Sequence, residues 1–216
     1  FIQKDNGNQL ANMANLTLPL TKKISVYSES SKKYEDKMVL PKQVLEHYSN
    51  YIPGNGQANL VTVTIPEGYD RLAKEAFYNN AQITTFNLPS SLKLIGESAF
   101  ENCGALTSIT LNDGLENIGK KAFVGTNLTE ISFPHSLRII NDAAFADLRI
   151  EDLKFNAGLY YIGNTAFGLN SAITLNTIQI PASVKFIGAC AFYGREYQDV
   201  YFLGENAPIM PMGGSV

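Results

Sequence analysis

The chain has no tryptophan, two cysteines, two histidines and only 17% charged residues over 216 positions, and each shortage removes a class of function. Cys103 and Cys190 are too few for a disulfide framework and lack the C-x-x-C spacing of a zinc site. In the repeat register developed below they lie about four coils apart, on the order of 19 Å, too far to bridge. They read as buried reduced thiols that pack like small hydrophobes. Nucleophilic catalysis needs a base beside its nucleophile. The only histidines are His47 and His135; neither has a partner the sequence can place, and His135, just after Pro134, reads as a solvated turn residue. Gly54-x-Gly56 leads into no helix of the kind that cradles phosphate. The expectation is therefore a protein that is not an enzyme and uses no cofactor and no metal.

Charge and hydropathy exclude more. The formal net charge is -3 and the seventeen Lys and Arg are scattered, so no basic patch exists to neutralise phosphates and nucleic acid is not an expected partner. No apolar run approaches the roughly 18 to 20 residues that cross a bilayer, so the chain is not expected to be membrane-embedded. Residues 1–30 lack the basic start and apolar centre of a signal peptide. The chain opens at Phe1, with no Met, and reads as a processed or truncated form whose missing signal says little about secretion.

What the sequence does have is a period. Apolar residues make up 45% of the chain, enough for an ordered core, and an Ala-Phe pair recurs at Phe77, Phe100, Phe123, Phe145, Phe167 and Phe192, at intervals of 23, 23, 22, 22 and 25 residues. Seventeen residues before each Phe stands Leu60, Ile83, Leu106, Leu128, Ile150 or Leu175. The unit reads L-x-x-I-x-I-P-x-x-L-x-x-I-G-x-x-A-F, and six copies in one frame are not chance.

Each column has a mechanical meaning. The pairs Val63/Ile65, Phe86/Leu88, Ile109/Leu111, Ile131/Phe133, Leu153/Phe155 and Ile178/Ile180 alternate with polar residues, the pattern of a strand with one buried face. Pro66, Pro89, Asn112, Pro134, Asn156 and Pro181 follow and stop the strand. The column Ala73, Gly96, Gly119, Asn141, Gly163, Gly188 suggests a site of positive φ, with Ala73 marking a first coil that turns differently. The Phe column fills the interior on the far side.

A coil of this length cannot cover its own apolar face, so stacking must bury it. Six parallel strands at about 4.8 Å would form a sheet roughly 29 Å tall. The expected fold class is α/β: a solenoid with a parallel sheet of short strands on one face and short helical or 3₁₀ turns at the A-F segments opposite. Tyr197, Val200 and Phe202 fit a last, incomplete strand. Met13, Leu16, Leu18 and Pro19 match the start of a degenerate first repeat. The expected organisation is an N-terminal cap with that degenerate repeat and an insertion over residues 1–57, a solenoid over 58–203 and a tail over 204–216. Within the cap, residues 28–37 read as an exposed loop, and Pro41 opens a short helix with Val44, Leu45 and Tyr48 on one face.

The I-G-x-x-A-F and L-x-x-I-x-I-P pieces resemble the BspA-like leucine-rich repeats of bacterial surface proteins, over residues 60–203. The resemblance implies a leucine-rich-repeat solenoid, extracellular or at the surface of a host-associated microbe, that serves in adhesion or recognition; some protist surface proteins carry similar repeats. Asn15-Leu16-Thr17 and Asn127-Leu128-Thr129 are glycosylation sequons by pattern and mean nothing in a bacterial protein.

The outward face of the sheet is polar throughout. One column is Thr62, Thr85, Ser108, Glu130, Asp152, Thr177 and Asp199; the other is Thr64, Asn87, Thr110, Ser132, Lys154, Gln179 and Tyr201. Its C-terminal half is the richer in functional groups, so Glu130, Asp152, Lys154, Gln179, Asp199 and Tyr201 are the expected partner-binding residues, and the partner is a protein, such as a host extracellular protein. Glu130 and Asp152 on adjacent strands could gather around calcium, but no third oxygen donor stands in register. Tyr160, Tyr161, Tyr193, Tyr197 and Tyr201 suit sugar stacking or protein hot spots, which makes a glycan-binding protein the alternative; a spacer without its own ligand is the third reading.

Overall fold

The computed structural model describes residues 61–211 except 66 and 170–172, together with the backbone of three strands nearer the N-terminus, β1 (Asn15–Thr17), β2 (Lys23–Ser28) and β3 (Lys33–Leu40). The chain winds as stacked coils, each contributing two edges to the stack.

On the first edge, β1 pairs in parallel with β4 (Val61–Thr64), and β4 with β6 (Ile83–Asn87). The register Leu16↔Val63 continues the repeat one unit N-terminal to the first full copy. The second edge is built from two-residue strands: β5 (Arg71–Leu72), β7 (Leu94–Ile95), β8 (Asn117–Ile118), β9 (Ile139–Ile140), β10 (Tyr161–Ile162) and β12 (Phe186–Ile187). All pair in parallel. In each the second residue points inward and is fully buried. The hairpin β2–β3 extends this edge, because β3 pairs in parallel with β5. β3 occupies much of the segment expected to be a loop, and the helix expected after Pro41 lies outside the described residues.

Four expectations need correction. First, the described residues contain no helix, so the fold is a parallel β-solenoid and not an α/β one. The A-F segment divides its N–H groups between two directions. Those of Ala76, Tyr78 and Asn80 close local turns on Ala73, Glu75 and Phe77, while those of Glu75, Phe77 and Asn79 reach the carbonyls of Glu97, Ala99 and Glu101 in the next coil. A helix would point successive N–H groups the same way along its axis, not alternately inward and across. Here positive φ at Glu75 and Asn79 (57° and 61°), at Ser98 and Asn102 (53° and 62°) and at later equivalents turns alternate peptides outward.

Second, the glycine column is not a positive-φ column, since the left-handed residues lie two positions later. The glycines are there because coils touch. A Cβ on Gly96 would stand 2.6 Å from the Leu72 oxygen, and one on Gly119 2.5 Å from the Gly96 carbonyl carbon. Gly163 and Gly188 press on the preceding coil in the same way. Third, the first coil, despite Ala73, turns as the others do, through Glu75 and Asn79.

Fourth, the first edge is not one continuous ladder. After β6 the pairing stops, and it resumes only between β11 (Ile173–Ile180) and β13 (Arg195–Phe202). Residues 107–111, 129–133 and 151–155 make no backbone hydrogen bonds to one another. Behind two of these segments the Phe133 and Phe155 rings stack at 5.7 Å.

The core is a single cluster through the stack. Its spine is the Phe column, whose rings lie nearly parallel at 5.0 to 5.6 Å from Phe77 to Phe192. Where the Pro column holds asparagine, the side chain reaches back across the coil boundary: Asn112 Nδ2 donates to the Leu88 carbonyl, and Asn156 Nδ2 to those of Pro134 (2.6 Å) and Leu137 (3.2 Å). At the C-terminal end residues 203–211 return without an A-F turn. The Ile187 N–H donates to the Ile209 carbonyl and the Ile209 N–H to that of Lys185.

Candidate functional site

The break in the first edge forms the floor of a groove of about 590 Å³ on the polar face. Ser108, Glu130 and Asp152 line it from one outward column, and Thr110, Ser132 and Lys154 from the other, with Ile109, Leu111 and Ile131 between them. The side chains stand out because inward and outward residues alternate along each segment; Leu111, Ile131 and Leu153 are buried while Thr110, Glu130, Asp152 and Lys154 are exposed. Lys154 Nζ pairs with Asp152 Oδ2 at 2.5 Å, and both side chains remain largely in solvent, at 84% and 69%. Such an exposed pair contributes about 0.2 to 1 kcal/mol, so it orders the two groups without committing them. The groove therefore combines acid, base, hydroxyls, a half-buried Ile109 and backbone amides not used between coils.

Three of the six expected binding residues, Glu130, Asp152 and Lys154, share this groove. Gln179, Asp199 and Tyr201 do not line it; they stand on β11 and β13, where the register Thr177↔Asp199 and Gln179↔Tyr201 keeps the two outward columns intact. Among the described residues no group of three or more His, Cys, Asp or Glu could hold a metal, and the acid beside Glu130 is already paired to Lys154.

The tyrosines do not form one platform. Tyr160 and Tyr161 sit at the short-strand edge against Phe186, Tyr193 follows the last A-F turn, and Tyr201 lies on β13. Tyr160, Tyr193 and Tyr201 are exposed, whereas the Tyr197 hydroxyl is buried beside Arg195. His135 is exposed, its backbone N–H on Asp113 Oδ1; His47 lies outside the described residues. Both cysteines are free. Cys103 is fully buried, and burial pushes its thiol up to about 12. Cys190 is only half-buried, at a positive-φ position of the last A-F turn, which corrects the expectation that both are buried.

One residue escaped sequence reasoning altogether. Arg195 is 5% exposed, and its guanidinium donates to the carbonyls of Phe167 (Nε, 2.7 Å), Ile150 (Nη1, 2.5 Å) and Leu148 (Nη2, 2.7 Å). Burial lowers its pKa and raises that of Tyr197, while the proximity of the two opposes both shifts. Elsewhere in the stack the carbonyl of the column Phe takes a smaller donor: Cys103 Sγ for Phe77, Thr126 Oγ1 for Phe123. The signal in the sequence is faint: an Arg three residues after the last A-F pair, opening a segment that otherwise looks like an exposed strand.

No helix among the described residues is long and apolar enough to cross a membrane. Comparison with curated proteins finds no significant match. Among solved structures, a leucine-rich repeat protein from T. pallidum superposes with a TM-score of 0.59 at 29% identity, over 69% of this chain and 72% of that one. A leucine-rich repeat protein from Bacteroides ovatus gives 0.62 at 24% identity over 87% of this chain. This chain spans 45% of the B. ovatus protein's length. The pneumococcal vaccine antigen PcpA gives 0.54 at 19% identity over 91% of this chain and 60% of its own. Those last two likenesses show the fold alone. A family model matches residues 55–174 and 140–207 with six copies of the repeat, the same stretch in which the glycine contacts, the Phe spine and the A-F turns recur. The chain belongs to the BspA-type leucine-rich repeat family.

Proposed function

We propose that this chain is a recognition module, exposed at a microbial surface or secreted, that binds a protein partner through the groove over its central coils. It acts as a scaffold and not as an enzyme. The observation that carries this reading is the groove itself: it coincides with the only charged stretch of the outward columns in the central coils, with half-buried Ile109 in its floor beside Glu130, Asp152 and Lys154. Exposed charges of both signs beside hydroxyls fix orientation and specificity when a complementary protein surface docks. Adhesion to a host extracellular protein is the form of recognition this family resemblance favours. Gln179, Asp199 and Tyr201, on the adjoining strand pair, extend the contact surface beyond the groove.

The glycan reading draws less support, because the tyrosines that would stack on a sugar ring lie on different edges of the stack. The test is a binding screen of the purified chain against a panel of extracellular matrix proteins and a glycan array, with Lys154→Glu and Tyr201→Ala run in parallel. A protein hit weakened by Lys154→Glu supports the proposal. A saturable sugar hit that survives Lys154→Glu and is lost with Tyr201→Ala, or no hit at all, refutes it in favour of the glycan or spacer reading.

A further inference from the structure

The outward side of the short-strand edge changes character along the stack. Just ahead of each two-residue strand stands a solvent-facing position, and the column reads Asp70, Lys93, Glu116, Arg138, Tyr160, Lys185. The backbone N–H of each member donates to the carbonyl of the one before it, so the six stand in line, one coil apart. Up to Glu116 the charges alternate, and Lys93 pairs with Glu116 at 3.5 Å. Beyond Glu116 the column holds no acid. Arg138 and Lys185 have no ion-pair partner among the described residues. Asp142, just past this edge, accepts instead from the Asn164 N–H and Nδ2.

The next column, on the strands themselves, turns apolar over the same coils. The register Ile139↔Tyr161↔Phe186 sets three half-buried side chains in line, in the column where Arg71, Leu94 and Asn117 stand in the earlier coils. The Phe186 ring meets that of Tyr160 at 5.6 Å and that of Tyr161 at 6.4 Å, tilted by 61° and 44°. The result is a surface cluster of three rings between two cations. Arg138 and Lys185 bracket the exposed Tyr160, two coil steps apart, or about 10 Å at the usual strand spacing.

We propose that this face is a second interaction surface, one that docks an acidic polypeptide segment. Carboxylates of that segment sit on Arg138 and Lys185, and an apolar side chain between them packs on Tyr160, Tyr161 and Phe186. Charge complementarity selects an anionic partner, because the two cations lack carboxylates of their own on a chain whose net charge is -3. The rings select a polypeptide among anions. Their tilt makes an uneven relief that fits a side chain, whereas a sugar stacks on one flat ring face, and aromatic residues with arginine are the groups that carry protein interfaces. Two cations also fall short of the roughly four to eight in a basic cluster that holds an anionic lipid surface.

The test is an amide-resolved NMR titration of the full chain with an acetylated, amidated, alanine-based helical peptide that carries Glu at positions i and i+7, about 10.5 Å apart, and Phe at i+4. The same peptide with both Glu replaced by Gln, heparin, and phosphatidylserine vesicles are run beside it. The expected result is saturable shifts at Arg138, Ile139, Tyr160, Tyr161, Lys185 and Phe186, with at least about tenfold weaker binding of the Gln peptide. A similar loss is expected in an Arg138→Glu, Lys185→Glu protein, which keeps the parent's Tm because both residues are exposed, while Arg138→Lys retains binding. Lys154→Glu, in the groove, should leave this binding unchanged, which separates it from the function proposed above. No shift at those amides up to millimolar peptide, equal response to the Glu and Gln peptides, or tighter binding of heparin or of the vesicles than of the Glu peptide would overturn the proposal.

Discussion

Replacing Gly119 by alanine tests whether the repeat's glycines serve contact between coils. The new Cβ would stand 2.5 Å from the Gly96 carbonyl carbon and 2.6 Å from the Glu97 nitrogen, where carbon contacts prefer 3.5 to 4.0 Å. The two coils must therefore separate by about 1 Å. They are tied there by the Gly119 N–H on the Ile95 carbonyl at 2.8 Å and by the register Ile95↔Ile118, so the strain falls on backbone and not on a mobile side chain. Overpacking costs about 1 to 3 kcal/mol, and this site belongs in the upper part of that range; the smaller unfolded-state entropy of alanine returns about 0.4 to 1 kcal/mol. The net loss is about 2 kcal/mol, or roughly 4 to 8 °C in Tm for a chain of this size. Asn141 occupies the same column and shows what a side chain there needs: its Nδ2 donates to Asn117 Oδ1 and the Ile118 carbonyl, bonds that alanine cannot make. The control is Gly104→Ala, whose Cβ would meet only the Gly125 oxygen at 3.9 Å and should be neutral or slightly stabilising. Urea and thermal unfolding followed by circular dichroism measure both. If Gly119→Ala is as well tolerated as Gly104→Ala, the close-contact account is wrong.

Other outcomes follow from single sites. Arg195→Lys keeps the charge but cannot span three carbonyls, so it should destabilise by roughly 3 kcal/mol, read as a lower urea midpoint. Thr165 is β-branched at φ 49°, and Thr165→Asn should stabilise by about 0.5 to 1 kcal/mol in the same assay. Cys190 should react with a thiol reagent in the native protein while Cys103 reacts only on unfolding. Because the Cys103 thiol is raised from 9.0 to about 12, its neutral form is the folded one. Its contribution is fully present below the ordinary thiol pKa and is lost as pH rises from about 9 towards 12. Cys103→Ser should flatten stability over that window in denaturation series at stepped pH.

Much of the fold was legible because the repeat reports on packing. The Phe column, the inward pairs and both outward columns all stand where the period put them. The mistakes about the glycine column and the first coil share one origin: glycine carries two meanings, left-handed backbone and close approach. In this stack Gly96, Gly119, Gly163 and Gly188 carry the second, while Glu75, Ser98, Lys121 and Ala143 take the left-handed conformation with ordinary side chains. Nothing in those residue types announces it, since the geometry is imposed by hydrogen bonds to the next coil. The break in the strand ladder was equally hidden. It is a matter of how the coils sit on one another in three dimensions and not of the alternation that marks all six segments alike. The candidate site was legible in half: the columns named Glu130, Asp152 and Lys154 correctly as neighbours, but the groove that separates them from Gln179, Asp199 and Tyr201 arises from that break.

The most direct test of the central claim, that a protein partner seats on the groove, is hydrogen exchange of the backbone amides of residues 107–111, 129–133 and 151–155, measured with and without the protein ligand found in the binding screen. These amides make no hydrogen bonds between coils and should exchange fast in the free chain. The account expects the ligand to slow them by about tenfold or more, while the amides of β11 and β13 change little. Unchanged exchange across the three segments, with protection elsewhere, would contradict it.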